Sequence, residues 1–354
     1  MLRLYINQKF FDAEKKYSPL LFPFFGSYIR SAVTYAGAFT KIIFDKQYYT
    51  LVDSPEQCDC VMLPYNIWSL KRKEPQLLHE MLSDAHNTGK PVLIDAFGDT
   101  MDILDIPNSI VLRFAQYKRR LKQNDIIIPA YIEDLLQEYR SGSHSLRSKG
   151  DRAMVGFVGW GNMSFKEYPR TYLKEMPIWL WSKIRPTDGV FRKGVFWRAE
   201  ALCRLQNSQD IETEFIIRGS YSGNTKTAQG DPAVLREQFI SNIENTDYTL
   251  CQKGDSNQST RFYEVLSMGR IPLVIDTECV FPLEDKINYK DFSIFIDHTD
   301  IKKAGEIVAQ KHAAISGEEF LSMQQKAREV FENYLRIDVF TKYLVEEIQK
   351  RVKK

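Results

Sequence analysis

Several features that assign a protein to a large class are missing from this chain of 354 residues. No run of 18 consecutive apolar residues occurs, so the sequence predicts no membrane-spanning helix. The first residues, MLRLYIN, enter a strand pattern directly and lack the apolar core of a signal peptide. The formal net charge of +2 is too small to indicate a general nucleic-acid-binding protein.

Cysteine is scarce, odd in number and scattered. The five cysteines are Cys58, Cys60, Cys203, Cys251 and Cys279. The C-x-C spacing of the first two is too tight for a usual zinc knuckle or redox pair, and both lie in a strand-like run, so we expect them to be buried structural residues. This cysteine usage fits a reducing cytosol, and we predict a cytoplasmic protein.

Strands alternate with helices through both halves of the chain. In the first half, strands are predicted over residues 2–6, 41–44, 60–63, 91–95, 110–114 and 126–128, and helices over 27–35 and 75–88. In the second half, strands are predicted over 153–158 and 214–217, helices over 191–205 and 234–245, and two more helices over 316–354. This alternation is typical of parallel, doubly wound sheets.

A small, polar and basic stretch, SGSHSLRSKGD at residues 141–151, reads as a linker between the two series. The length and a hydrophobic content of 44% suffice for two cores. We therefore predict an α/β fold of two doubly wound, Rossmann-like domains facing a cleft. They span residues 1–140 and 152–325, and a C-terminal helix at 326–354 returns toward the first domain.

The segment 248–276, YTLCQKGDSNQSTRFYEVLSMGRIPLVID, reads as a strand, a polar loop, a helix beginning at Ser259 or Thr260, and a second strand. Such a unit places free backbone N–H groups and the positive end of a helix dipole at a sheet edge, where a diphosphate can bind. Arg261 and Glu264 are three residues apart and share one face of this helix. The cation suits a diphosphate and the carboxylate suits ribose hydroxyls. A surface ion pair between the two is the alternative.

The same stretch resembles the C-terminal signature of the exostosin-like glycosyltransferases. The matching elements, in order, are Gln252-Lys253-Gly254, Ser259-Thr260-Arg261-Phe262-Tyr263-Glu264-Val265-Leu266, Gly269-Arg270-Ile271-Pro272-Leu273-Val274, Asp276, Phe281-Pro282-Leu283-Glu284-Asp285 and Tyr289-Lys290-Asp291-Phe292. Weaker matches occur at residues 54–59, 63–65 and 124–129. The family's His-Asp-x-Gly of the first domain appears only as Asp95-Ala96-Phe97-Gly98-Asp99, and the membrane anchor of the animal members is absent.

The resemblance implies the two-domain GT-B architecture and an inverting transfer of a sugar from a nucleotide diphosphate donor, most often a UDP-sugar. A bacterial-type cytosolic relative that builds a cell-surface polysaccharide is the expectation. In this architecture a helix dipole and Arg or Lys side chains often replace a metal at the diphosphate, so we expect no essential metal or other cofactor. The chain has no Asp-x-Asp motif, which agrees.

The resemblance also implies donor-binding residues in the second domain. Arg261, with Ser259 and Thr260, should hold the diphosphate, and Glu264 should accept hydrogen bonds from ribose. The other predicted donor-site residues are Gly254, Arg192, Arg198, Arg218 and Gly159. For Arg192 and Arg198 the alternative is a solvated helix face, for Gly254 an ordinary turn glycine, and for Ser259 an ordinary helix cap.

The catalytic base should come from the first domain, at the place where the family has its histidine–aspartate pair. Asp99 is the first candidate and Asp95 the second, and the alternative is that either only caps a following helix. Asp255 and His298 are further candidates near the donor loops.

Two basic clusters, Lys118-Arg119-Arg120-Leu121-Lys122 and Lys350-Arg351-Val352-Lys353-Lys354, read as solvated helix faces or as contacts to an anionic glycan or membrane. The expected partners are thus a nucleotide sugar and a glycan or lipid-linked glycan, without nucleic acid. Two other functions compete with a UDP-sugar transferase: a fucosyltransferase-like enzyme that uses a GDP-sugar, and a non-catalytic glycan- or nucleotide-binding relative.

Overall fold

The computed structural model describes residues 1–27, 43–161, 168–219 and 230–353. Within them the chain forms two parallel β-sheets with helices packed on their faces. The predicted helix over residues 27–35 lies outside the described residues, apart from its first position.

The first sheet has six strands in the order β2-β1-β3-β4-β5-β6, and every recorded pairing is parallel. The strands are β1 (Leu2–Tyr5), β2 (Tyr49–Val52), β3 (Cys60–Met62), β4 (Val92–Asp95), β5 (Ser109–Arg113) and β6 (Asp125–Ile127). The helices of this half are α1 (Phe22–Phe25), α2 (Ile67–Lys73), α3 (Pro75–Asn87) and α4 (Leu135–Arg140). Strands β3 to β6 are buried along their whole length, as expected for a parallel sheet covered on both faces.

One strand prediction in this half is wrong. The predicted strand at 41–44 lies partly outside the described residues, and Ile43 and Phe44 are not in a strand. The edge strand is β2 instead, which pairs with β1 from Leu2 opposite Tyr49 onward. Helix α2 was also not predicted, because it is only seven residues long; the side chain of Asn66 caps it by accepting from the Trp68 and Ser69 N–H groups.

The second sheet has five parallel strands in the order β11-β10-β9-β7-β8. The strands are β7 (Met154–Trp160), β8 (Glu212–Arg218), β9 (Tyr248–Leu250), β10 (Ile271–Asp276) and β11 (Ile294–Asp297). The helices are α5 (Pro169–Ile184), α6 (Gly194–Gln206), α7 (Pro232–Asn245), α8 (Thr260–Ser267) and α9 (Ala304–Ala314). The chain places β8 on one side of β7 and then crosses to place β9 on the other. The strand order therefore reverses between β7 and β9, and ligands of doubly wound sheets bind at such a point.

The last two helices are α10 (Gly317–Val330) and α11 (Ile337–Val352). Helix α11 buries Phe340, Leu344 and Ile348 in the same core as Leu2 and Leu4 of the first sheet. The C-terminal segment therefore packs back across the domain boundary. Two doubly wound domains with this returning helix confirm the predicted GT-B architecture. Among the described helices, none is long and apolar enough to cross a membrane.

Candidate functional site

Arg261 lies where the second sheet reverses its strand order. Its Nη2 donates to the Val158 carbonyl of β7 at 2.7 Å, and its Nη1 donates to the Leu250 carbonyl of β9 at 3.4 Å. The guanidinium also stacks 4.3 Å from the centre of the Phe157 ring. Helix α8 begins one residue before Arg261 and aims its N-terminus at the same edge. A cation and a helix dipole thus coincide at the carboxyl ends of the central strands.

Two other predicted cations gather around the end of β7. Arg198 of α6 donates to the Trp160 carbonyl at 2.9 Å. Arg218 ends β8 directly beside Trp160 in the parallel register. Burial lowers the pKa of Arg218, and the neighbouring Arg261 lowers it further, so the two guanidinium groups repel each other. An anion close to both arginines would favour their charged forms.

Gly159 makes room for this arrangement. Its φ of +149° lies in a region that favours glycine, and a Cβ at this position would lie 3.0 Å from Arg261 Nη2. The predicted importance of Gly159 therefore has a physical reason: it lets the Arg261 guanidinium approach the backbone of β7.

The loop over residues 251–259 joins β9 to α8 and forms the floor of the site. Ser259 and Thr260, at the N-terminus of α8, are half-buried. The Ser259 side chain makes no capping hydrogen bond to α8. A Cβ on Gly254 would meet open space. By contrast, a Cβ on Gly194 would overlap the carbonyl oxygens of Lys253 and Gly254, because α6 starts directly against this loop.

Glu264 is buried, and the ion pair recorded for it is not the predicted one with Arg261. Its Oε1 accepts from Arg236 Nη1 at 2.9 Å, and Arg236 Nη2 reaches Glu133 at 3.0 Å. The surface ion-pair alternative for Arg261 and Glu264 is therefore wrong. Arg236 of α7 therefore bridges Glu264 of the second domain and Glu133, which precedes α4 of the first domain.

Arg192 does not point at the site. It lies 3.4 Å from the buried carboxylate of Glu175 and 3.5 Å from Glu200, and only 12% of its side chain is exposed. Neither a phosphate-binding role nor a solvated helix face describes it. Its neighbours indicate that it anchors α5 to the start of α6.

The two candidate bases differ in their surroundings. Asp95 is 4% exposed and accepts hydrogen bonds from the Phe97 N–H and the Asn66 amide, so it holds the turn after β4. Asp99 is exposed at the surface and lies close to Ser256 of the second domain. No helix begins at residues 100–106, so the helix-cap alternative for Asp99 is wrong.

The surroundings of Asp99 also change its acidity. Partial burial raises the pKa of the Asp99 carboxylate, the nearby Asp255 raises it further, and hydrogen bonding from Ser256 opposes both effects. A raised pKa suits a general base that must take up a proton. Asp255 is exposed beside Asp99. His298 is buried, with ring nitrogens close to the Asp276 and Pro186 carbonyls, and packs on Trp197, so it supports the loops rather than facing the cleft.

Lys253 is the most consequential residue to which the sequence assigned no role. It is 3% exposed, and its Nζ donates to the Tyr117 hydroxyl at 3.2 Å and to the Val190 carbonyl. Burial lowers its pKa to about 8. Its neighbour Gln252 is also buried, and neither polar atom of its side chain has a partner among the described residues. In the sequence, the position of Gln252 and Lys253 in the family motif, directly after a predicted strand, could have marked them as site residues.

The first domain contacts the second domain along one edge of this loop. Tyr117 and Cys279 form an isolated antiparallel bridge. Arg119 donates to both carboxylate oxygens of Glu278 and, at 2.8 Å, to Asp188 Oδ1. Part of the first basic cluster is therefore committed to holding the two domains together.

Comparison with known proteins agrees with this geometry. The exostosin GT47 domain model matches residues 190–311, which contain α6, the 251–259 loop and α8. This part of the chain is therefore similar to the exostosin GT47 glycosyltransferase domain. Exostosin-1 of Drosophila melanogaster is 27% identical over 28% of this chain and 12% of its own length. A probable glucuronosyltransferase of Oryza sativa subsp. japonica is 23% identical over 34% of this chain and 27% of its own length.

The chain spans less than a third of the length of these relatives. Among solved structures, TarM aligns with a TM-score of 0.38 and 9% identity, over 79% of this chain and 53% of its own. A glycosyltransferase from Rickettsia africae aligns with a TM-score of 0.35 and 8% identity over nearly the full length of both chains. Because these TM-scores and identities are low, the assignment of the fold rests on the topology of the two sheets.

Proposed function

We propose that this chain is an inverting glycosyltransferase that moves a sugar from a UDP-sugar to a glycan acceptor during synthesis of a cell-surface polysaccharide. The observation that carries the proposal is the position of Arg261 between β7 and β9, at the N-terminus of α8 and beside Arg218. The donor diphosphate would lie against these two cations. The match to the exostosin GT47 domain supports the reaction type.

The proposed reaction is a single in-line displacement. The acceptor hydroxyl oxygen forms a bond to the anomeric carbon while the bond from that carbon to the diphosphate oxygen breaks, and the diphosphate keeps the electron pair. Asp99 takes the hydroxyl proton, and Ser256 orients its carboxylate. Asp99 belongs to the first domain and the cations belong to the second, so the reaction needs both domains in contact.

We propose that no metal takes part, because the chain supplies its own positive charge for the leaving group. Arg261 and Arg218 neutralise negative charge that develops on the diphosphate, and the dipole of α8 adds to them. The unpaired polar atoms of Gln252 lie in the same loop. Since buried polar groups are normally hydrogen-bonded, we assign them to a contact with the bound donor or its ordered water.

We further propose a lipid-linked glycan acceptor and a cytoplasmic site of action at the inner face of the membrane. The two basic clusters support this, because α11 brings them together: Arg351 donates to the Gln123 and Asp125 carbonyls, next to Lys122. Clustered cations favour a surface of anionic lipid phosphates.

Titration calorimetry with UDP and with GDP tests the donor site. We expect UDP to bind and Arg261→Ala to weaken binding by roughly tenfold or more, since a charged hydrogen bond contributes about 1.5–3 kcal/mol. Arg204→Ala is the matched control, because Arg204 is an exposed arginine of α6 that pairs only loosely with Glu200. A preference for GDP would favour the fucosyltransferase-like alternative. A mass-spectrometric screen of nucleotide sugars then detects transfer; UDP binding without turnover would favour a non-catalytic relative.

A further inference from the structure

Helix α5 buries a charged side chain and exposes apolar ones, which is the reverse of an ordinary surface helix. Its one buried residue is a carboxylate, Glu175, which pairs with Arg192 and accepts from the Lys193 N–H. Its outward side is apolar instead. The exposed large hydrophobic residues are Leu173 (58%), Met176 (49%), Trp179 (41%), Leu180 (51%), Trp181 (47%) and Ile184 (73%).

Four of these exposed side chains share one face of α5. Leu173, Met176, Leu180 and Ile184 follow one another at spacings of three, four and four residues, which places them on a single face of the helix. Glu175 lies on the other side. Monomeric soluble proteins rarely expose an apolar stripe of this length, so it marks an interaction surface.

The charges around the stripe decide what binds it. Residues 169–185 contain four cations and one carboxylate, and that carboxylate is the buried Glu175. Lys183 lies 4.9 Å from the Trp179 ring, and Arg185 lies 5.2 Å from the Trp181 ring. Tryptophan beside long basic side chains on an apolar helix face suits the boundary between lipid headgroups and acyl chains.

The first domain places a basic run next to α5, and its Arg119 is paired with Asp188 and Glu278. The Trp181 indole N–H donates to Asp188 Oδ2 at 2.9 Å, and Asp188 Oδ1 accepts from Arg119. Arg119 belongs to the exposed basic run at residues 118–122. Leu121 lies within that run and is 39% exposed, so here, as on α5, an exposed apolar side chain has basic neighbours. The stripe and the basic run therefore lie on neighbouring surfaces of the molecule.

We propose that α5 is an interfacial helix that docks the protein on an anionic lipid bilayer. Leu173, Met176, Leu180 and Ile184 enter the headgroup–acyl boundary, the two tryptophans lie at the headgroup level, and the basic residues contact lipid phosphates. The helix lies in the plane of the surface and does not span the membrane. This docking goes beyond the proposed sugar transfer and needs neither donor nor acceptor.

Vesicle flotation with the full chain tests the proposal. Phosphatidylcholine vesicles with about 30% phosphatidylglycerol should capture the protein, and pure phosphatidylcholine vesicles should capture much less, since each basic residue near an anionic surface adds attraction. The double variant Leu173→Glu/Leu180→Glu should bind anionic vesicles about tenfold more weakly or worse, because it places two carboxylates in the apolar stripe. Val234→Glu is the matched control, because Val234 is 54% exposed on another helix.

Three further results decide the proposal. Quenching of tryptophan fluorescence by brominated lipid in the wild type, lost in the double variant, supports it. Equal vesicle binding by the double variant and the wild type, with unchanged thermal unfolding, overturns it. A wild-type dimer that the double variant converts to monomer, without vesicle binding by either, assigns the stripe to a second copy of the chain. Arg261→Ala should bind vesicles normally, which keeps this test separate from that of the donor site.

Discussion

Lys253 Nζ lies 3.2 Å from the Tyr117 hydroxyl and joins the loop of the second domain to the first domain. The amine is 3% exposed, and its other recorded acceptor is the Val190 carbonyl. A buried ammonium that donates to neutral oxygens is unfavourable, so burial lowers the pKa of Lys253 to about 8, and the negative charge of Glu175 opposes this shift only in part. The domain contact is therefore sensitive to pH near neutrality.

Lys253→Met should remove the rise in unfolding free energy that Lys253 causes above about pH 8. An unfolded lysine has a pKa of about 10.4, so between about pH 8 and pH 10.4 the unfolded chain binds more protons than the folded chain, and stability rises with pH. Below about pH 8 the destabilising effect is fully present. Between pH 7 and pH 9.5 the wild type should gain roughly 1–3 kcal/mol relative to the variant in denaturant unfolding. Other titrating groups cancel in this difference, and parallel curves for the two proteins would contradict the assignment.

Glu264→Ala and Arg236→Met separate a ligand contact from a structural ion pair. Each variant breaks the 2.9 Å pair, so both should lose about 1–3 kcal/mol of unfolding free energy. Only Glu264→Ala removes the carboxylate that we assign to ribose, so only this variant should raise the Kd for UDP by roughly tenfold or more. Equal losses of UDP affinity in the two variants would show that Glu264 acts only by holding Arg236.

Asp99→Asn should lower kcat by roughly 10²–10⁴-fold and leave the Kd for UDP unchanged, as expected when a general base is removed. Two neighbours should shift the acid limb of the pH profile in opposite directions. Ser256→Ala removes the hydroxyl that lowers the pKa of Asp99 and keeps the backbone N–H, so the limb should move to higher pH. Asp255→Asn removes a carboxylate that raises this pKa, so the limb should move to lower pH. Shifts of the same sign in both variants would exclude Asp99 as the base.

Much of the fold was predictable because its signals are local. The runs that became β4 and β5 are short, apolar and bounded by turn residues, and α8 begins at Thr260 as its loop and capping pattern indicates. Edge strand β2 was missed because its burial is partial and its apolar pattern weak. Helix α5 was missed because its apolar residues face outward, so no core-facing stripe marks it.

The site was predictable to the extent that it follows the strand ends. Parallel strands end at one edge of the sheet, and this brings together Arg261, Arg198, Arg218 and Gly159. Arg192 lies elsewhere because it pairs with the buried Glu175. The partners of Glu264 and Asp99, namely Arg236 and Ser256, depend on contacts between distant segments that no local pattern encodes. The roles assigned to these residues in donor binding and catalysis stay predictions.

Gly194 and Gly254 lie at the same contact, but replacing each by alanine should change the unfolding free energy by different amounts. At Gly194 a Cβ would overlap the carbonyl oxygens of Lys253 and Gly254, so Gly194→Ala must displace either α6 or the loop and should lose about 1–3 kcal/mol of unfolding free energy. At Gly254 a Cβ meets open space, so Gly254→Ala should unfold within about 0.5 kcal/mol of the wild type. If that space holds the donor, Gly254→Ala should still weaken UDP binding severalfold in titration calorimetry. Wild-type affinity in Gly254→Ala would place the donor elsewhere in the cleft.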